Sequence, residues 1–204
     1  MTSTNLTVYR HIGAFPTPES RQHPALRFLE FYVEKINTAS YEGSYLPYYH
    51  PESVFHDATG VDYVGGAAIW TWIRGLFGGG KFERIEMETR EFFVIGGFEK
   101  EGEGKGEEIW KIYGEWLAHW WVKGTGEKIT VPRGMVFTLG KAEGEKGDGK
   151  GTGIGKGERD GNGDLVGEVG FEGLQIRDVR LWYDRSLLTG IFKRSEQEKE
   201  KFGA

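Results

Sequence analysis

The stretch that decides the fold runs from residue 50 to residue 77, HPESVFHDATGVDYVGGAAIWTWIRGLF. Ser53 to Asp57 reads as a short strand ending on an acid, and a turn passes through Gly60. The pair Gly65-Gly66 then opens the apolar run AAIWTWIRGLF, a helix stopped by Gly78-Gly79-Gly80. An aspartate at such a join has two uses. It can cap the turn by accepting backbone N–H groups, or it can present a carboxylate to whatever the strand and helix enclose.

Working outward toward the N-terminus, apolar residues fall at Leu26, Leu29, Val33 and Ile36, flanked by Phe28 and Tyr32, a helical stripe wide enough to cover a sheet. A second short helix is expected from Tyr41 to Tyr49, ended at the His50-Pro51 step because a residue before proline is pushed out of the helical region. Residues 1–20 carry Pro16 and Pro18 and little periodicity, and read as an arm lying on the domain or fraying from it. Toward the C-terminus, Phe82–Ile95, Glu108–Lys123, Ile129–Leu139 and Leu174–Asp184 are long and rich in β-branched and aromatic residues, as strands are. The expected class is α+β: a curved antiparallel or mixed sheet wrapped around three N-terminal helices. GGFEKEGEGKGEE, residues 96–108, reads as one hairpin tip. A glycine-rich insert at about 141–168 is expected to be flexible. The domain is placed at 21–192, with a polar tail at 193–204.

At 204 residues the chain suits one domain, and seven Trp, nine Tyr and thirteen Phe make its core aromatic. The net charge is −5 and its Lys and Arg residues are interspersed with Glu, so no nucleic-acid partner is expected. Cysteine is absent, which excludes disulfides and thiolate chemistry. Neither a leader nor a membrane span is read in the sequence, and a cytoplasmic location is expected. The glycine-rich insert offers two false motifs. Gly144, Gly149 and Lys150 begin a phosphate loop, but Gly151 stands where Ser or Thr is needed. Asp160, Asn162 and Asp164 begin a calcium loop, but Leu165 replaces its glycine. The five histidines form no HExxH pair and no GxSxG elbow occurs, so neither metal nor cofactor is expected.

The alternation of side chains along strands divides the remaining candidates by face. Around Trp116, one face carries Trp110, Ile112, Trp116, Ala118, Trp120 and Val122, uniformly apolar and read as core or dimer contact. The other carries Tyr113, Glu115, Leu117, His119 and Trp121, a mixture suited to a small-molecule pocket. On the next strand Val131, Arg133, Met135 and Phe137 share a face, one cation on an apolar surface. Glu115 and Arg133 either serve that pocket or form a structural ion pair between neighbouring strands. The last strand divides into Arg177, Val179, Leu181, Tyr183 and Ile176, Asp178, Arg180, Trp182, with either face able to line the pocket.

With its strand, Asp-x-x-Gly turn, glycine and helix following an aromatic-rich helix, the sequence resembles the nuclear-transport-factor-2-like superfamily. That superfamily includes SnoaL-like polyketide cyclases, ketosteroid isomerase and scytalone dehydratase. The resemblance covers roughly residues 24–188 and implies a cone-shaped sheet enclosing a pocket, with dimerisation through the sheet. It makes Asp57 the counterpart of the isomerase's general base and puts Tyr32 near the place of a donor on the first helix. The isomerase's second donor has no counterpart, since Met135 falls nearest its position, and this argues against steroid isomerisation itself. Scytalone dehydratase combines His, Asp and Tyr groups, so His119 with Asp57, or His56 and Tyr49 beside them, is the set implied for dehydration.

These readings converge on a cofactor-independent acid/base enzyme, an isomerase, cyclase or dehydratase, acting on a small hydrophobic oxygenated molecule such as a polyketide or terpenoid. Its catalytic set would be Asp57, His119, Glu115 and Tyr32. Substrate contacts would come from Tyr49, His56, Tyr113, Leu117 and Trp121 and from Arg133, Met135 and Phe137. The alternative is a non-catalytic ligand-binding or dimerisation domain on the same fold.

Overall fold

Pro24 has no N–H for a first helical turn to leave unsatisfied, and its ring pre-sets a helical φ, so it can open a helix where most residues need a cap. In the computed structural model, which describes residues 7–38, 41–77, 82–99, 108–143, 158–159, 165–166, 169–184 and 186, a helix does begin there. In chain order the elements are β1 (Thr7–Ile12), α1 (Pro24–Asn37), β2 (Tyr49–His56), β3 (Asp62–Val64), α2 (Gly66–Phe77), β4 (Phe82–Glu99), β5 (Glu108–Val122), β6 (Lys128–Lys141), the two-residue β7 (Glu158–Arg159) and β8 (Leu165–Val166), and β9 (Leu174–Tyr183). Among the described residues, strands β7 and β8 pair only with each other. The rest of the glycine-rich insert, most of the 96–108 tip, Gly78–Gly80 and the polar tail lie outside the described residues.

Seven strands form one sheet in the order β1-β4-β5-β6-β9-β2-β3. Every pairing is antiparallel except β2 with β9, which is parallel, so the sheet is mixed. Three register shifts along β4 and one between β6 and β9 add the local bends that bulges bring. The shift between Thr89 and Glu91 changes the parity of β4, so that Ile85 and Phe92 are both buried.

Helices α1 and α2 cover one face of this sheet, and the predicted α1 stripe is its buried side. Helix α2 approaches β2 closely: a Cβ on Gly66 would stand 2.5 Å from the Tyr45 ring and 2.8 Å from the His50 carbonyl oxygen. Glycine is therefore required for steric reasons. The preceding Gly65 takes φ of 95°, a left-handed conformation, as the chain turns from β3 into the helix.

Two α-helices are present among the described residues, against the three expected. Tyr41–Tyr49 forms no helix: Gly43 has φ of 90°, and only Tyr45–Tyr49 closes a single turn. Tyr49 is already strand, because β9 claims the backbone here, with the Ile176 N–H donating to the Tyr48 carbonyl at 2.8 Å. Within residues 1–20, Thr7–Ile12 pairs with β4 as an edge strand. Its pattern hides this, since Val8 and Ile12 face solvent while His11 is buried and approaches the Ala14 carbonyl at 2.8 Å through Nε2. No helix among the described residues is long and apolar enough to cross a membrane.

Trp70 on α2 is fully buried and stacks on Tyr48 at 5.0 Å between ring centres. Replacing it with alanine empties a fully buried site between helix and sheet. Trp70→Ala is expected to cost about 3–5 kcal/mol, read as a lowered midpoint in chemical denaturation.

Candidate active site

Asp57 immediately follows β2, where the chain turns back into β3. The Gly60 N–H donates to the Asp57 carbonyl at 2.9 Å and the Asp57 N–H to the Val61 carbonyl at 3.0 Å, closing a hairpin. The Asp57 carboxylate accepts the Thr59 N–H on Oδ2 at 3.1 Å. The turn-capping use of this residue is thus real, and it engages one oxygen. The half-buried side chain also lines a cavity of about 400 Å³ between the helices and the inner sheet face, within the size range of small-molecule sites.

The cavity wall is largely aromatic. Tyr32 comes from α1, Trp72 from α2, Trp116 and Trp120 from β5, Phe137 from β6 and Tyr183 from β9. Arg133 lies within this wall because the register pairs it with Trp116 and so gives the two one face. Its guanidinium stacks at 4.4 Å from the Trp120 ring centre and 5.1 Å from that of Tyr183, a cation–π arrangement. Burial pushes Arg133 down to about 10, opposed by the phenol of Tyr183 and the charge of Asp57. It stays a cation at neutral pH. No ion pair forms between Arg133 and Asp57.

Tyr32 shares a buried hydrogen bond with Tyr49, hydroxyl to hydroxyl at 2.6 Å. Burial pushes the Tyr32 phenol up to about 12, with the Tyr49 bond and the Arg133 charge opposing it. Tyr63 is also raised, by burial first and then by the charge of Asp57. Both phenols are therefore protonated at neutral pH and can donate to a ligand oxygen.

The structure brings Asp57, Tyr32, Arg133, Met135 and Phe137 to one cavity, with Tyr49 behind Tyr32. It does not bring the mixed face of β5 there. Tyr113, Glu115, Leu117, His119 and Trp121 lie on the outer face, and the apolar face with Trp116 and Trp120 lines the cavity. The expected assignment is reversed because the helices cover the apolar face, which serves as core and cavity wall together. His119 binds outward, Nε2 to Glu88 at 3.0 Å and Nδ1 to Thr130 at 2.9 Å. Glu115 is exposed and stands opposite Gly134, so it does not pair with Arg133. His56 lies between Asp62, at 2.8 Å, and Asp178, at 3.0 Å, on the outer side.

Tyr63, Trp72 and Thr59 line the cavity without having been expected there. Strand β3 is three residues long, too short for periodicity to assign Tyr63 a face. For Trp116 and Trp120 the signal was present, since they alternate in step with the register partners of Arg133 and Val131. On β9 the question of face is answered by Leu181 and Tyr183, both on the cavity.

No family model matches the sequence, and no curated protein matches it. Among solved structures the chain is similar to Aln2 from a Streptomyces species, at 14% identity over 87% of this chain and 99% of that one, TM-score 0.48. It is also similar to a protein assigned as a SnoaL-like polyketide cyclase from Shewanella denitrificans, at 12% identity over 87% and 99%, TM-score 0.41. A further match is ActVI-ORFA from Streptomyces coelicolor, at 11% identity over 79% and 96%, TM-score 0.40.

The Tyr32–Tyr49 pair yields a test of how the cavity floor is held. Tyr32→Phe or Tyr49→Phe leaves one buried hydroxyl without its partner and is expected to cost about 1–3 kcal/mol. The double variant should cost less than the sum of the two, measured as a coupling energy in a double-mutant cycle.

Proposed function

We propose that the chain is a cofactor-independent acid/base enzyme, an isomerase, cyclase or dehydratase, acting on a small hydrophobic oxygenated molecule of polyketide or terpenoid type. The observation that carries this reading is that a carboxylate and a guanidinium share one aromatic cavity without pairing with each other. Asp57 takes a proton from carbon beside a substrate carbonyl; the C–H pair becomes the new C=C bond and the carbonyl π pair moves onto oxygen. The resulting enolate is stabilised by O–H donation from Tyr32 or Tyr63, with the positive charge of Arg133 in the same cavity. Return of the proton to another carbon completes an isomerisation. Attack of the enolate carbon on a second carbonyl, whose oxygen takes the proton from Asp57, completes a cyclisation, and departure of a β-hydroxyl as water with that proton completes a dehydration. The Thr59 N–H on Oδ2 holds the carboxylate so that Oδ1 is the basic atom.

His119 and Glu115 have no part in this scheme, since they lie on the outer face. That face exposes Phe93, Tyr113 and Trp182, and the reading includes a cytoplasmic homodimer packed through it.

A second reading, a ligand-binding domain without catalysis, is favoured by the Asp57–Thr59 bond, which gives the aspartate a structural use. The two differ in a single measurement. Small aromatic 1,3-dicarbonyl compounds incubated with the protein in D2O should exchange their acidic C–H for deuterium faster than in buffer, followed by NMR. Asp57→Asn should lower the protein-dependent rate by about 10²-fold or more while the compounds still bind. Binding without accelerated exchange by the wild-type protein supports the second reading. Undiminished exchange by the variant removes Asp57 as base.

A further inference from the structure

The polar groups of the cavity are unbalanced toward donors. Tyr32 and Tyr63 present protonated phenols, and Arg133 presents a guanidinium whose Nε is fully buried without an acceptor. Against these stands one acid, Asp57, with one oxygen already held by the Thr59 N–H. Arg133 is also unusual among the arginines whose side chains are described. Arg10, Arg21 and Arg27 pair with Glu91, Glu30 and Glu172. Arg84 and Arg90 pair with Glu86 and Glu88, Arg177 with Glu143 and Arg180 with Asp178. Arg74 has no such partner among the described residues but lies exposed, where water solvates it. Only Arg133 among them combines a cavity position, stacking on two aromatic rings and the lack of a described carboxylate in ion-pair contact.

A cation removed from water without a counter-ion is costly, and the cost is recovered when an anion arrives. The planar guanidinium fork matches a carboxylate in particular, through paired charge-assisted hydrogen bonds. The wall around it is made of flat rings: Trp116, Trp120, Phe137 and Tyr183. Flat rings favour a flat apolar body.

We propose that the cavity selects a planar aromatic molecule bearing a carboxylate, with the carboxylate on Arg133 and the ring system against Trp120 and its aromatic neighbours. This names the substrate class of the reading given under Proposed function and rests on that reading for its site. With its anion anchored on Arg133, the ligand extends its remaining atoms toward Asp57, which is separated from Arg133 by more than an ion-pair distance. A carboxylate bound directly beside Asp57 would be repelled.

The test uses 2-naphthoate and its neutral methyl ester as probes, with binding to the full chain followed by tryptophan fluorescence and calorimetry. Wild-type protein should bind the acid at least about tenfold more tightly than the ester, as expected when a charge-assisted pair is gained. Arg133→Gln should lose that preference by weakening acid binding while leaving ester binding within about twofold, which also reports that the cavity has formed. Arg133→Lys, which keeps the charge but not the fork, should retain part of the preference. Asp57→Asn should leave naphthoate binding unchanged or tighter, so loss of deuterium exchange in that variant does not bear on this selectivity. Equal binding of acid and ester, a preference that survives Arg133→Gln, or binding of neither probe overturns the proposal.

Discussion

The parallel pairing of β2 with β9 is the constraint on which the cavity depends. It joins the segment leaving α1 to the last strand, and buried polar groups hold it in place. Gln175 is fully buried: its amide donates to the carbonyls of Leu46, at 2.6 Å, and Tyr49, at 3.2 Å, while its oxygen accepts the Glu143 N–H at 2.8 Å. The Ser53 hydroxyl, also buried, lies 2.7 Å from the His50 carbonyl and 2.5 Å from that of Ile176. These bonds satisfy backbone groups where Tyr49 and Val54 are joined by an irregular register. They hold the first half of β2 against β9, and Asp57 follows the far end of β2. They also bring Tyr49 under Tyr32, linking α1 to the same strand.

Given that frame, the electrostatics of the cavity follow from its apolar and aromatic walls. In bulk solvent Asp57 and Arg133 would each be fully hydrated and neither would specify much. Against aromatic walls, a charge keeps a longer reach, which is why Asp57 acts on both Arg133 and the Tyr63 phenol without touching the former. The same burial raises the Tyr32 phenol further above its ordinary range, so the cavity holds one carboxylate and several donors. A substrate oxygen that gains negative charge during reaction is served by that distribution.

How much of this was legible in the sequence depends on what each signal encodes. Both α-helices and the four long strands announced themselves, because a stripe such as Leu26, Leu29, Val33 and Ile36 reports burial on one side directly. The Asp57 turn was legible for a different reason, since Asp and Gly at those positions are required by the hairpin itself. Strand β1 was not, because its exposed residues are the apolar ones and its buried one is His11. Nor was the end of the Tyr41–Tyr49 segment, whose conformation is decided by a strand far away in the sequence. The face of β5 was misread for a subtler reason. Alternation divides residues into two sets but does not say which set the helices cover, and a polar-containing set looks more like a binding site than an apolar one does.

That ambiguity bears on how the molecule avoids the alternative arrangement. A slip of one residue between β5 and β6 would exchange the faces, pointing Arg133 outward and carrying Gly134 inward. Between β4 and β5 the corresponding slip is resisted by shape. At Gly114 on β5, a Cβ would stand 2.6 Å from the Trp116 indole nitrogen and 2.7 Å from the Phe92 ring, so the rings occupy the space glycine leaves open. Gly96 on β4 is likewise overlaid by Trp110, with a Cβ there only 1.8 Å from its ring. Each glycine leaves the space that an aromatic ring fills, which favours one register between β4 and β5 and so keeps inward the face of β5 whose Trp116 stands opposite Arg133. The side chains that form the core are thereby also the ones that set the chemistry of the site.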